Sequence, residues 1–195
     1  MNRREAIQRA GLVLGFAISA PTISALMQGC KAKPELAWQP QFLKPEQASL
    51  VSEVCEIIIP KTDTPGAKDA GVPSFIDTIV KDCYKKEDQD NFLKGLEDFD
   101  KGAKDAHGDT FLDLSPEKQV EYVTKVHNDA LTAAKDEANK DKARPFILIV
   151  KELTVVGFFT SEPGATQVLQ YVAVPGAYKG CIPLREAGNG KTWAT

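Results

Sequence analysis

The chain has 195 residues, enough for one domain at about 100–200 residues per domain. With 43% hydrophobic and 26% charged residues it resembles an average soluble globular protein, which argues against widespread disorder, a coiled coil or a multi-span membrane protein. The formal net charge of −3 argues against nucleic-acid binding, and two histidines leave little material for a histidine-rich metal site or a catalytic triad.

Residues 1–29 have the pattern of an export signal, in which a short basic start is followed by an apolar stretch that Pro21 interrupts. The adjacent Arg3 and Arg4 resemble the pair of a twin-arginine signal, which directs folded proteins across the membrane. An ordinary secretion signal and a retained anchor are the alternatives. In each case we expect residues 1–29 to lie outside the folded domain.

Cys30 closes the apolar stretch directly after Gly29, an arrangement that resembles a lipoprotein processing site. In this interpretation Cys30 becomes the acylated first residue of the mature protein, and the lipid is its attachment to a membrane. The alternative is an ordinary cysteine near a cleavage site. The sequence therefore predicts a periplasmic protein, with or without a lipid anchor.

After a tether predicted at residues 30–44, residues 45–195 are expected to form one domain. Apolar residues at three- and four-residue spacing predict four amphipathic helices, at residues 45–59, 72–83, 87–105 and 115–134. Residues 146–159 are apolar nearly all round, which suits a central buried helix. We expect an all-α fold: an irregular bundle of about five to six helices around this central apolar helix, with a Gly/Pro-rich C-terminal tail.

Export permits disulfides, and three cysteines follow Cys30. Cys83 ends a predicted helix and Cys181 lies in the tail, so a bond between them would restrain the part of the domain with the least apolar content. Cys55 falls on the apolar face of the first helix, where a small thiol packs well without a partner. We predict a Cys83–Cys181 disulfide; a Cys55–Cys83 bond and the absence of any bond are the alternatives.

Neither histidine belongs to a catalytic motif. His107, beside Gly108, is expected in an exposed polar loop, and His127 is expected to be a hydrogen-bonded core residue on a helix face. The sequence contains no dinucleotide-binding fingerprint, no phosphate-binding loop and no nucleophile-elbow motif. We expect this chain to bind no metal or cofactor and to have no active site of its own.

Four stretches of the sequence resemble the motifs of one known protein family. They are IIIPKTDTPGAKDAGVPSFID at 57–77, LSPEKQ at 114–119, LTVVGFFTSEPGATQVLQY at 153–171 and VPGAYKGCIPL at 174–184. In this order, behind a twin-arginine-like signal, they resemble the gluconate 2-dehydrogenase subunit 3 family. The resemblance implies a non-catalytic small subunit that carries a partner through the twin-arginine route and stabilises it in the periplasm.

The resemblance also implies what the partner is. It would be a flavoprotein large subunit of the glucose-methanol-choline oxidoreductase family, which holds FAD, oxidises a sugar or polyol and passes the electrons to a c-type cytochrome. A free-standing periplasmic lipoprotein that binds a ligand or partner is the alternative from another class. The third hypothesis is that this chain is an enzyme in its own right.

The TPGAKDAG stretch of this resemblance has two interpretations. Pro65 and Gly66 suit a turn, and Gly71 suits a hinge into the next helix, which would make the loop purely structural. Alternatively the loop docks the large subunit, with Thr64, Pro65, Gly66 and Asp69 as the candidate residues. The sequence favours neither interpretation.

Overall fold

The computed structural model describes residues 36–136, 143–174, 176–177, 180–188 and 190–194. Arg3, Arg4 and Cys30, which carry the export and lipidation predictions, lie outside the described residues. Residues Leu36–Thr195 belong to one compact unit.

The described residues confirm the all-α prediction. The helices are α1 (Pro45–Ile58), α2 (Val72–Cys83), α3 (Lys86–His107), α4 (Pro116–Lys135), α5 (Phe146–Thr160) and the short α6 (Leu184–Gly188). A single 3-10 turn, Phe111–Asp113, precedes α4, and a π-helical turn, Gly164–Val168, follows α5. Within the described ranges the β structure is limited to an isolated bridge between Gln170 and Trp193.

The helix boundaries follow the local signals in the sequence. Pro45 and Pro116 occupy the first turns of α1 and α4, where a residue without an N–H group costs nothing. Gly71 precedes α2 with a φ of 72°, and Gly108 ends α3 with a φ of 88°. Both glycines adopt the left-handed conformation that other residues reach only with strain. The predicted hinge at Gly71 is therefore a glycine-specific turn.

The α5 helix is the centre of the bundle and contacts each of α1, α2, α3 and α4. Its buried positions recur at three- and four-residue spacing and are Phe146, Ile147, Val150, Leu153, Thr154, Gly157 and Phe158. At Gly157 the helix approaches α2 so closely that a Cβ atom would lie 2.6 Å from Cδ1 of Phe75. The prediction of a central helix is confirmed, although Val155, Val156 and Phe159 on its outer face remain exposed.

Aromatic side chains join the second half of the bundle. The Phe99 ring of α3 packs against those of Phe111, Tyr122 and Phe146, with ring centroids 4.9–5.6 Å apart. The Tyr122 hydroxyl donates a hydrogen bond of 2.7 Å to the carbonyl oxygen of Phe99, and burial raises the pKa of Tyr122 to about 12. This cluster connects α3, the 3-10 turn, α4 and α5. The apolar periodicity of α4 did not identify Tyr122 as a core residue.

The apolar stripe predicted on α4 is wider than its buried face. Val123 and Ala130 are buried as expected, but Val120 and Leu131 are exposed. Because α4 packs mainly on α5, only the part of the stripe that faces α5 is covered. Of the two exposed residues, Leu131 lines the apolar groove described below.

Residues 36–44, the described part of the predicted tether, are held against α2. The backbone N–H groups of Gln41, Phe42 and Leu43 donate hydrogen bonds of 2.7–3.3 Å to the carboxylate of Asp77, which is fully buried. Leu43 is also buried in the core. The polar, proline-containing composition suggested a loose tether, but a distant carboxylate orders this part of it.

His107 is also placed differently from the prediction. It is the last residue of α3, half-buried, with its ring edge-to-face against Tyr122 at a centroid distance of 5.9 Å. The helix extends past the predicted end at residue 105 because Gly108 provides the left-handed termination only there.

Candidate docking surface

The loop at residues 61–71 folds around a carboxylate of α1. Glu56 accepts hydrogen bonds from the backbone N–H groups of Lys61, at 3.0 Å, and Lys68, at 2.9 Å. Ala67, at the centre of the loop, is fully buried, and its N–H donates to the carbonyl oxygen of Ile59. The loop is therefore a packed connection between α1 and α2.

Gly66 is required where the loop passes closest to α1. A Cβ atom at this position would lie 2.7 Å from the backbone nitrogen of Lys61, and it would also collide with the Glu56 carboxylate. The geometry thus supports the structural interpretation of Gly66. The sequence did not indicate that Glu56 holds the loop, because an acidic residue in the last turn of a helix usually faces solvent.

The four residues proposed for docking lie together but differ in accessibility. Gly66 is buried, and Thr64 and Pro65 are half-buried. Asp69 is exposed, and its carboxylate forms an ion pair of 2.7 Å with Lys61. The docking role of this loop stays a prediction, with Asp69 as its accessible member.

The three described cysteines are free thiols in the structure. Cys55 is fully buried, as predicted for an unpartnered thiol, and accepts a hydrogen bond of 3.3 Å from the Thr154 hydroxyl. Burial raises the pKa of Cys55 to about 12, which keeps it protonated and unreactive. Cys83 and Cys181 are exposed and unbonded, so their disulfide is not formed here and stays a prediction for the exported protein.

An apolar groove lies between the second half of α4 and the exposed face of α5. Its apolar walls are Leu131 from α4 and Leu148, Val155 and Val156 from α5. The volume of the groove is about 350 Å³, room for a bulky side chain from another molecule. We call these four residues the α4–α5 groove.

The charged side chains that line the α4–α5 groove have partners within the chain. The ammonium of Lys151 lies 2.8 Å from Nε2 of His127, and Arg144 forms an ion pair with Glu152. An ammonium group only donates, so Nε2 of His127 is the acceptor in this contact. His127 is hydrogen-bonded as predicted, but it is half-buried at the surface and lies outside the core.

A second apolar surface is formed by the described part of the C-terminal segment, residues 170–174, 176–177, 180–188 and 190–194. Tyr171 is 62% exposed and Val174 is 83% exposed. The further exposed apolar residues of this segment are Val172, Ile182, Leu184 and Trp193. Backbone hydrogen bonds from Gln170 to Thr192 and from Ala194 to Gln170 connect its two ends. In its described part, the two ends are paired through the backbone, while these apolar side chains remain exposed.

Within the described residues, no group of three or more His, Cys, Asp or Glu side chains is placed to hold a metal ion. Among the described helices, none combines the length and the apolar character that a bilayer crossing needs.

The family of the chain is decided by a match over most of the bundle. Residues 45–176, from the start of α1 through the π-helical turn, match the family described as gluconate 2-dehydrogenase subunit 3. The chain belongs to this family. Membership makes it a subunit of a multi-subunit dehydrogenase, as the resemblance of the four stretches predicted. No curated protein and no solved structure is significantly similar to the chain.

Proposed function

We propose that this chain is the non-catalytic small subunit that exports and stabilises a flavin-dependent sugar or polyol dehydrogenase in the periplasm. The family match over residues 45–176 carries the proposal. In this complex a large subunit of the glucose-methanol-choline family holds FAD and binds the substrate, and a c-type cytochrome accepts the electrons. The small subunit itself binds no cofactor.

The surface of the bundle supports a role in assembly. Monomeric soluble proteins rarely leave large apolar patches uncovered, and such patches commonly mark interaction sites. Here the α4–α5 groove and the C-terminal segment both expose apolar side chains. A subunit that is stable only within a complex would have this kind of surface.

The export half of the proposal depends on the N-terminal sequence. Arg3 and Arg4 would address the chain to the twin-arginine route, and a partner without its own signal would cross the membrane with it. Acylation of Cys30 would then anchor the complex at the membrane surface. An acylated chain should partition into detergent, and Cys30→Ser should release it.

The direct test is purification of the tagged full chain from its native host. We expect it to bring down a flavoprotein in a fixed ratio, with a flavin absorbance spectrum and sugar or polyol dehydrogenase activity. A stable monomer without a flavoprotein would contradict the proposal and favour the lipoprotein alternative. Turnover by the isolated chain would show that it is an enzyme in its own right.

A further inference from the structure

We propose that residues 190–194, which we call the C-terminal strap, form a detachable clamp on the π-helical turn Gly164–Val168. The strap lies beyond residues 45–176, the range of the family match, whereas the turn lies within that range. A clamp of this kind acts inside a single chain. It therefore goes beyond the proposed function and does not depend on it.

The π-helical turn has its own support at its N-terminal end. The Ser161 hydroxyl donates a hydrogen bond of 2.6 Å to the carbonyl oxygen of Phe158 and accepts one of 3.2 Å from the N–H of Gly164. Gly164 is buried, and a Cβ atom there would collide with the same carbonyl group. At the far end, the Val168 side chain packs against the core. Because π-helical hydrogen bonding is rare and mostly limited to single turns, we expect the backbone at this end to need partners as well.

The strap provides those partners. The Lys191 ammonium donates a hydrogen bond of 2.5 Å to the carbonyl oxygen of Gln167, and a cation at the C-terminal end of a helical turn is favourable. The N–H of Gln170 donates to the carbonyl oxygen of Thr192 at 2.8 Å. In return, the N–H of Ala194 donates to the carbonyl oxygen of Gln170 at 2.9 Å. The strap thus bonds the last residues of the turn and the backbone that directly follows it.

The strap can detach because it buries little of its own surface. Residues 190–193 are exposed, and the largest side chain of the strap, Trp193, is 44% exposed. Segments with few buried apolar contacts open locally while the core stays folded. We therefore expect a docked state and a released state, and an ordered π-helical turn in the docked state.

Docking of the strap also affects the exposed apolar surface of the C-terminal segment. Tyr171, which is 62% exposed, directly follows Gln170 in the chain. Holding Gln170 from both its N–H and its carbonyl group fixes the point from which Tyr171 leaves the bundle. The strap is accordingly a conformational device that sets how this apolar surface is presented.

Amide hydrogen exchange, measured by NMR on the full chain, tests the clamp. Leu169 is the diagnostic amide, because its N–H bonds to the carbonyl oxygen of Gly164 inside the turn. Lys191→Met removes the ammonium but keeps a long side chain, and we expect exchange at Leu169 to become about tenfold faster or more. A chain that ends at Gly190 should show at least the same acceleration. The amides of α5 should keep their wild-type protection in both variants.

Arg185→Met is the matched control. It removes a positive charge from an exposed residue of the neighbouring α6 and should leave exchange at Leu169 unchanged. Unchanged exchange at Leu169 in Lys191→Met and in the shortened chain would overturn the inference. Faster exchange at Gln170 alone would not rescue it, because Gln170 loses its own partner in the shortened chain.

Two other results would also contradict the clamp. An equal acceleration at Leu169 in Arg185→Met would assign the effect to the loss of a positive charge and not to the bond with Gln167. Loss of protection throughout α5 in Lys191→Met would show that the strap cannot detach from a folded bundle.

Discussion

Asp77 is a carboxylate placed inside the core, with Ile76 and Val80 buried beside it on the same helix. Both of its oxygens accept hydrogen bonds, from three consecutive backbone N–H groups at Gln41, Phe42 and Leu43. Hydrogen bonds to an ionised acceptor are stronger than neutral ones, which offsets the cost of burying the charge. A single side chain thereby fixes the start of the folded domain.

The first prediction concerns this contact. Asp77→Asn replaces one acceptor oxygen with an amide that donates, so at least one backbone N–H loses its partner. We expect the free energy of unfolding to fall by about 1–3 kcal/mol. Hydrogen exchange should also show reduced protection of the amides of residues 41–43.

Asp82→Asn is the matched control for Asp77, because it makes the same change at an exposed position of the same helix α2. It should leave the thermal midpoint and amide protection near their wild-type values. Equal stability of the two variants would show that the Asp77 contact contributes little to the fold.

At the scale of elements, the loop that connects α1 to α2 is held by contacts on its inner side. The Glu56 carboxylate holds the loop through two backbone N–H groups, and Ala67 fills the space beneath it. The loop must pass so close that only glycine fits at position 66. The turn residues therefore serve packing first, whatever else the exposed part of the loop contacts.

The second prediction separates packing from docking in this loop. In Gly66→Ala the new methyl group meets the Lys61 backbone and Glu56, so we expect a loss of about 1–3 kcal/mol in the free energy of unfolding. Asp69→Ala removes an exposed ion pair with Lys61 and should leave the thermal midpoint unchanged, because exposed pairs add little stability.

Binding assays then complete the comparison of the two loop variants. If Asp69→Ala weakens binding of the flavoprotein while keeping its thermal midpoint, the loop also docks the partner. If Gly66→Ala is as stable as the wild type, the proposed packing role of Gly66 is wrong.

At the scale of the whole molecule, the proposed export address at Arg3 and Arg4 would accompany a bundle that leaves part of its apolar surface uncovered. Both features are expected of a subunit that is exported together with its partner. A twin-arginine route accepts folded proteins, so a complex assembled in the cytoplasm can cross as one unit. The uncovered apolar surface would then be shielded before export.

The third prediction tests this whole-molecule property. Replacing Arg3 and Arg4 with lysine keeps the charge but removes the arginine pair, so the precursor should remain in the cytoplasm. A flavoprotein partner without its own signal should remain there as well. Fractionation followed by immunoblotting and a flavin spectrum of each fraction measures both proteins.

Arg9→Lys is the matched control for export, because it alters an arginine of the same signal outside the pair. It should be exported normally. Normal export of the double variant together with its partner would exclude the twin-arginine address.

The sequence by itself determined the helical class, most helix boundaries and the family. Apolar periodicity, proline at helix starts and glycine at helix ends act over a few residues, so local sequence suffices for them. The four stretches indicate the family for the same reason, since each is a run of consecutive residues that depends on no tertiary contact.

The tertiary structure alone decided which residues pair across long separations and which apolar faces stay uncovered. The Asp77 contact joins residues 34–36 positions apart, and nothing in the local pattern of residues 36–44 indicates it. The composition of α5 indicated a central buried helix but not which of its residues stay exposed, and Val155 and Val156 lie on the side that the neighbouring helices leave uncovered. Periodicity reports that a face is apolar, but only the positions of the neighbouring helices determine whether this chain or a partner covers it.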